Sequence, residues 1–306
     1  MMQLNQIMKD SDYGLVINYR YHKQNKWVCA QTHYLIEALI SEFDPIIITS
    51  QLMYEIHKHK LQFIISLEPG WGAPKIKYDR KQHHIIGIFV SDPHNKTDWL
   101  ENYVNANNVS FVFSYYYHPF LHHFPSFDRD RLIHVPWAVP DEFVNIPPQI
   151  TYNGQQKIQI FGASNGEAYD VRNWCRQFPF VDGHTNSGCE NKVMSDRDYF
   201  LWLQQYDAII AAGSLSKKYQ LVTPKYFEIA AAGSLLFAQY CDDLELLGFN
   251  RENCIIFDQG SFETLAMDYL NNPEIYLDIR IRGNNLIRDK HKISDRIGQI
   301  KTLFSP

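Results

Sequence analysis

Lys225 and Glu228 stand three residues apart in the run Thr223-Pro224-Lys225-Tyr226-Phe227-Glu228-Ile229-Ala230-Ala231-Ala232-Gly233. In a helix that spacing places both on one face, about 4.5 Å apart along the axis. Thr223 suits an N-cap, and Pro224 suits the first helical position, where a missing N–H is no loss. Gly233 suits a left-handed stop. A helix N-terminus attracts phosphate, and a lysine in its first turn adds a full charge. A carboxylate one turn deeper can accept hydrogen bonds from the two hydroxyls of a ribose. Capture of a nucleoside diphosphate is the chemistry this stretch offers. The same pair also reads as an ordinary exposed ion pair. The small apolar run Ile229 to Ala232 predicts a thin helix packed close to a sheet, with its charges left at an edge or cleft.

Other chemistry-bearing groups fall at turns that follow β-rich runs, where open parallel sheets bind their ligands. Gly162–Glu167 lets backbone approach a ligand, although a structural strand-to-helix turn has the same composition. It lacks the Gly-x-Gly-x-x-Gly pattern, so a nicotinamide enzyme is not expected. Gly213–Gln220 carries Ser214, Ser216, Lys217, Lys218 and Tyr219, which suit a diphosphate or simply a solvated loop. A third loop spans Gln239–Asp243. Upstream, Glu68-Pro69-Gly70-Trp71-Gly72 presents an acid and an indole suited to a sugar ring or to packing. Asp92 and His94 follow a strongly apolar run, and either suits a general base on an acceptor hydroxyl. Asp92-Pro93 also starts ordinary turns. His118, His122 and His123 cluster, but no carboxylate or cysteine lies at ligand spacing, so no metal is expected. There is no Gly-x-Ser-x-Gly elbow and no Walker-type loop.

The elements that must position these groups alternate. Strands are predicted at Gly14–Tyr19, Pro45–Thr49, Leu61–Leu67, His84–Val90, Val109–Ser114 and Arg131–Val135, with helices at Val28–Phe43, Gln51–His59 and Thr97–Ala106. Pro136, Pro140, Pro147 and Pro148 then punctuate a connector. The alternation restarts with strands at Lys157–Phe161, Asp207–Ala211, Ser234–Gln239 and Cys254–Phe257. Helices fall at Tyr169–Gln177, Asp196–Gln205, Phe262–Asn271 and Pro273–Ile293. Such alternation implies parallel sheets with crossover connections. The expected layout is an N-terminal domain over 1–140, a linker over 141–154 and a C-terminal domain over 155–306. The last helix is expected to pack back on the first domain.

The chain has 306 residues, 45% hydrophobic and 21% charged, with a formal net charge of -5. That size suits two domains, and the acidic balance argues against broad nucleic-acid binding. Cys29, Cys175, Cys189, Cys241 and Cys254 include no Cys-x-x-Cys pair, so reduced thiols in a cytoplasmic protein are expected. The N-terminal stretch shows neither signal peptide nor anchor, and no run of about 18 apolar residues exists to span a membrane. A monomer or homodimer is expected.

With these residues in view, the second half resembles the donor-binding domain of GT-B glycosyltransferases, in the spore-maturation-protein-like branch of the group 1 family. The resemblance rests on strand Lys157–Phe161 with Gly162, then Tyr169, Arg172, Tyr219, Lys225-Tyr226-Phe227-Glu228 and Gly233. Phe257, Gly260, Asn272-Pro273-Glu274 and Arg282-Gly283 extend it, over about residues 157–300. The first half is compatible with an acceptor domain. The resemblance implies an α/β protein of two Rossmann-like domains whose parallel sheets face across a cleft. It implies a hexosyl- or pentosyltransferase of glycan or glycoconjugate biosynthesis, using a nucleotide-diphosphate sugar and no other cofactor or Asp-x-Asp-bound metal. Gly162, Arg172, Lys218, Tyr219, Gln220, Thr223, Lys225 and Glu228 would bind the donor. Asp92, His94 and Lys225 would serve catalysis, with Glu68, Trp71 and His118 on the acceptor side. Related enzymes carry two glutamates with seven residues between them; Glu228 matches the second, but Gln220 stands at the first. Two further readings stay open: a non-catalytic nucleotide- or sugar-binding module on a degenerate transferase fold, and a nucleotide-sugar epimerase.

Overall fold

A computed structural model describes residues 10–24, 30–183 and 194–304. Cys29, Cys189 and the start of the Val28–Phe43 helix lie outside the described residues. The chain divides into two compact units, Met1–Pro136 with Arg296–Pro306, and Trp137–Asp295. Residues 141–154, expected as a linker, therefore belong to the second unit.

The first unit holds a parallel sheet of β1 (Tyr13–Val16), β2 (Ile46–Ile48), β3 (Phe63–Leu67), β4 (Ile85–Val90), β5 (Phe111–Ser114) and β6 (Leu132–His134). Their order is β2-β1-β3-β4-β5-β6. The chain crosses over through α1 (Tyr19–Gln24), α2 (Ala30–Phe43), α3 (Gln51–His57), α4 (Leu100–Ala106) and α5 (His118–His123). Strands such as Phe63–Leu67 are buried at every position, because a parallel sheet is covered on both faces and so needs continuous apolar runs. The β1 strand stops before Tyr19, where a longer strand was expected. There the Asn18 N–H donates to the Gly72 carbonyl (2.7 Å) and its side-chain oxygen accepts from the Tyr21 N–H (3.1 Å), which turns the chain into α1.

The second unit holds β7 (Ile158–Ile160), β8 (Val181–Gly183), β9 (Ala208–Ala211), β10 (Leu235–Gln239) and β11 (Ile255–Phe257), ordered β11-β10-β9-β7-β8 and all parallel. Its helices include α6 (Asp170–Cys175), α7 (Asp196–Leu203), α8 (Pro224–Ala231), α9 (Phe262–Asn271), α10 (Leu277–Lys290) and α11 (Ile293–Leu303), the last continuing into the first unit from Arg296. Edge strand β8 escaped the sequence pattern because only Val181 is buried, Asp182 and Gly183 being exposed. The helix expected through Ile293 instead ends at Lys290. The Val139 N–H donates to the His291 carbonyl (2.9 Å) and the Ile293 N–H to the Val139 carbonyl (3.0 Å), so a strand-like bridge opens the helix.

Helix α8 forms where expected. Pro224 occupies its first turn, and Gly233 ends it at φ +80°. Tyr226, Phe227, Ile229, Ala230 and Ala231 form its buried face, and each large side chain there contributes about 1.5–3 kcal/mol. A Cβ on Gly233 would lie 2.5 Å from Pro148 Cβ, so the connector packs on this turn. Thr223 takes the extended N-cap conformation, but its side chain makes no capping bond.

Candidate functional site

In the second unit the order of strands reverses between β7 and β9, and an open sheet offers its ligand crevice at such a point, beyond the strand C-termini. Gly162 follows β7 at φ +101°, a backbone conformation that glycine adopts without penalty. A Cβ there would lie 2.9 Å from Lys225 Cε and 3.1 Å from both Lys225 Nζ and an Arg172 terminal nitrogen. Gly162, Arg172 and Lys225 are thus brought together. The Lys225 ammonium sits 3.8 Å over the Phe161 ring, a cation–π contact that orients it without neutralising its charge.

Arg172, expected to bind the donor, is held between two loops of this site. It is buried, and its Nε and one terminal nitrogen donate to the Ala212 carbonyl (3.0 and 2.7 Å). The other terminal nitrogen donates to Ala163 (2.7 Å). Ala163 follows β7 and Ala212 follows β9, so one guanidinium ties together the two loops that flank the switch point. Burial lowers its pKa, yet a guanidinium stays charged in proteins.

The loop after β9 is clamped from three sides. Gln239, at the end of β10, accepts from the Gly213 N–H (2.7 Å) and donates to the Ser214 carbonyl (2.8 Å). The Asp170 carboxylate accepts from the Leu215 N–H (3.1 Å). Gln220 donates its side-chain amide to the Leu215 carbonyl (3.2 Å). Tyr219 and Gln220 line a small crevice with Ser214, Tyr226, Gln239 and Cys241. Lys218 is exposed beside the Tyr219 ring, whose hydroxyl raises its pKa. Glu228, half-buried, accepts from the Tyr199 hydroxyl on α7 (3.2 Å). Gln239 opens the third loop that the sequence marks, at the polar end of the apolar strand Leu235–Gln239. Tyr199 was missed, because nothing local singles it out.

In the first unit, Glu68, Trp71, Asp92, His94 and His118 all follow strands β3, β4 or β5. The Glu68 carboxylate accepts from the Ser91 N–H and pairs with Lys96 at 3.1 Å, both partners being largely buried. This pair, which the sequence did not reveal, ties the β3 loop to the β4 loop. Glu68, expected on the acceptor side, braces these two loops. Trp71 is 62% exposed, as a platform for a ring would require. Asp92 has φ +42°, a strained conformation for a non-glycine residue. Burial pushes its carboxyl up, against the pull of the Lys96 charge. The His94 ring lies 6.1 Å from that of His123, and His118 packs edge-on to Tyr117. Among the described residues no group of three His, Cys, Asp or Glu could hold a metal ion. Cys175, Cys241 and Cys254 are buried free thiols.

Two α/β units, each with a parallel sheet and a strand-order reversal, make up the GT-B fold. Residues 148–302, half of the chain, match the family described as glycosyl transferase-like, and the chain belongs to it. Among solved structures it is similar to Anabaena HepE in complex with UDP and glucose, with TM-score 0.61 and 10% identity over 97% of this chain and 100% of that one. A glycosyltransferase from Rickettsia africae ESF-5 gives 0.55 and 10% over 95% and 97%. TarM of S. aureus gives 0.54 and 12% over 80% of this chain and 55% of TarM, so the chain spans about half of that protein. No curated protein matches. No described helix is long and apolar enough to cross a membrane.

Proposed function

We propose that this chain transfers a hexose or pentose from a nucleotide-diphosphate sugar to an acceptor hydroxyl. The observation that carries this reading is the convergence of Gly162, Lys225 and the first turn of α8 beside the switch point, with Glu228 one turn deeper. The sugar C1–O bond to the diphosphate breaks, and a bond from C1 to the acceptor oxygen forms. Lys225 and the α8 N-terminus offset the charge growing on the departing diphosphate. Glu228 accepts from the ribose hydroxyls. Asp92, with His94 and His118 nearby in the first unit, takes the acceptor proton, and Trp71 offers its face to the acceptor ring. The solved complexes of HepE contain UDP, glucose and UDP-glucose, so a uridine donor is the first to try. The reaction runs without a metal cofactor, in glycan or glycoconjugate synthesis in the cytoplasm, by a monomer or homodimer.

A second reading is favoured by Gln220, an amide where the resemblance places a carboxylate: binding of the nucleotide sugar without turnover. A donor-hydrolysis assay over UDP- and GDP-sugars separates the two. Turnover by the wild-type chain, reduced about 100- to 1,000-fold in Lys225→Ala and clearly in Glu228→Ala, supports transfer. Full activity in both variants overturns this site. Tight binding with no turnover across acceptors supports the second reading.

A further inference from the structure

We propose that Tyr199 is a positioning residue that holds the Glu228 carboxylate ready for the vicinal hydroxyls of a ribose, and so makes the site selective for ribonucleotides. The inference rests on the nucleotide reading above and adds a residue outside the α8 stretch.

Tyr199 lies one turn into α7, and that helix is well anchored at its start. The Ser195 hydroxyl accepts from the Asp198 N–H (3.1 Å) and donates to the Asp198 carboxylate (2.6 Å), a reciprocal cap that fixes the first turn. The Tyr199 ring is buried, stacked on Trp202 at 5.9 Å and edge-on to Phe161 at 6.4 Å. Trp202 also meets Phe161 at 5.0 Å. This aromatic cluster leaves the Tyr199 hydroxyl at its edge, 3.2 Å from Glu228 Oε2. On another edge of the same cluster Phe161 carries the Lys225 ammonium at 3.8 Å. One rigid aromatic unit therefore sets both charges of the α8 face.

An ionised carboxylate offers about four acceptor directions. A phenol that donates along one of them fixes the plane of the carboxylate. A flexible glutamate must lose rotamer freedom to grip a diol, whereas a braced one has lost it already. Removing the phenol should therefore weaken binding only of ligands that carry the diol.

Calorimetric titration of UDP and of 2′,3′-dideoxyuridine diphosphate into the wild-type chain and Tyr199→Phe tests this. The wild type should bind UDP at least about tenfold more tightly than the dideoxy compound, and Tyr199→Phe should lose most of that preference while binding the dideoxy compound within about twofold of wild type. In a Glu228→Gln background the same substitution should have no effect on UDP. Equal preference in wild type and Tyr199→Phe, or additive effects of the two substitutions, overturns the inference while leaving the nucleotide reading in place. A wild type that binds UDP but ignores the ribose hydroxyls overturns the role of Glu228 and this inference with it. Equal melting temperatures of wild type and Tyr199→Phe exclude a merely structural loss.

Discussion

Asp92 joins a strained left-handed backbone, a half-buried carboxyl and a place just beyond β4. Its raised pKa has two consequences of defined sign. In the role of general base proposed for it above it works ionised, so kcat/KM should fall as pH drops through a value above the usual carboxylate range. For stability, a folded pKa above the unfolded one means that the folded state binds the proton more readily. Asp92 then weakens the fold as pH rises from the usual carboxylate range to that value, and the penalty stays in place above it. Asp92→Asn should accordingly lower kcat about 100- to 10,000-fold and abolish the acid limb, with no loss of melting temperature at pH 7. A pH–rate profile and a thermal melt on the same variant check both signs. Lys225, Glu228 and Gly162 could be singled out from sequence because local rules act on them: capping, three-residue spacing and the freedom of glycine. Lys96 could not, since nothing local marks a lysine as the buried partner of an acid in another loop.

At the level of elements, the two loops flanking the β7/β9 switch point depend on α6. Its Arg172 donates three hydrogen bonds to carbonyls in those loops, and its Asp170 holds the Leu215 N–H. Arg172→Met should lower stability in urea by about 2–4 kcal/mol, because the Ala163 and Ala212 carbonyls lose buried donors. It should also weaken UDP binding about tenfold, as Gly162 and Gly213 drift from their places. Arg172→Lys should rescue little, since one ammonium cannot fork between two loops. Isothermal titration beside urea unfolding measures both effects. Most strands were legible in the sequence because parallel strands, covered on both faces, read as unbroken apolar runs. β8 was not, as an edge strand with Asp182 and Gly183 outward shows no such run. The break after Lys290 was also hidden, because Val139, distant in sequence, imposes it.

At the scale of the molecule, each unit has its own apolar core, around Ile64 and Ile88 in the first and around Ile210 and Phe237 in the second. The C-terminal segment completes the first: Phe304 is buried against Phe63 and Phe113, at 5.6 and 6.2 Å between rings. Arg296 also donates to the Pro136 carbonyl (2.9 Å). Phe304→Ala should destabilise the first unit by about 3–5 kcal/mol and leave the second unchanged. Calorimetry resolves this as one transition lowered and one retained. The amino-acid sequence by itself determined the alternation of strands and helices, the limits of α8 and the pairing of Lys225 with Glu228 on one face. These follow from stereochemistry and burial within a few residues of each position. Only the tertiary structure decided what each charged group does. Arg172 meets Ala212 across 40 residues and Tyr199 meets Glu228 across 29, contacts that depend on which strands become neighbours. Strand order is set by the packing of the whole unit, and a local pattern carries no record of it.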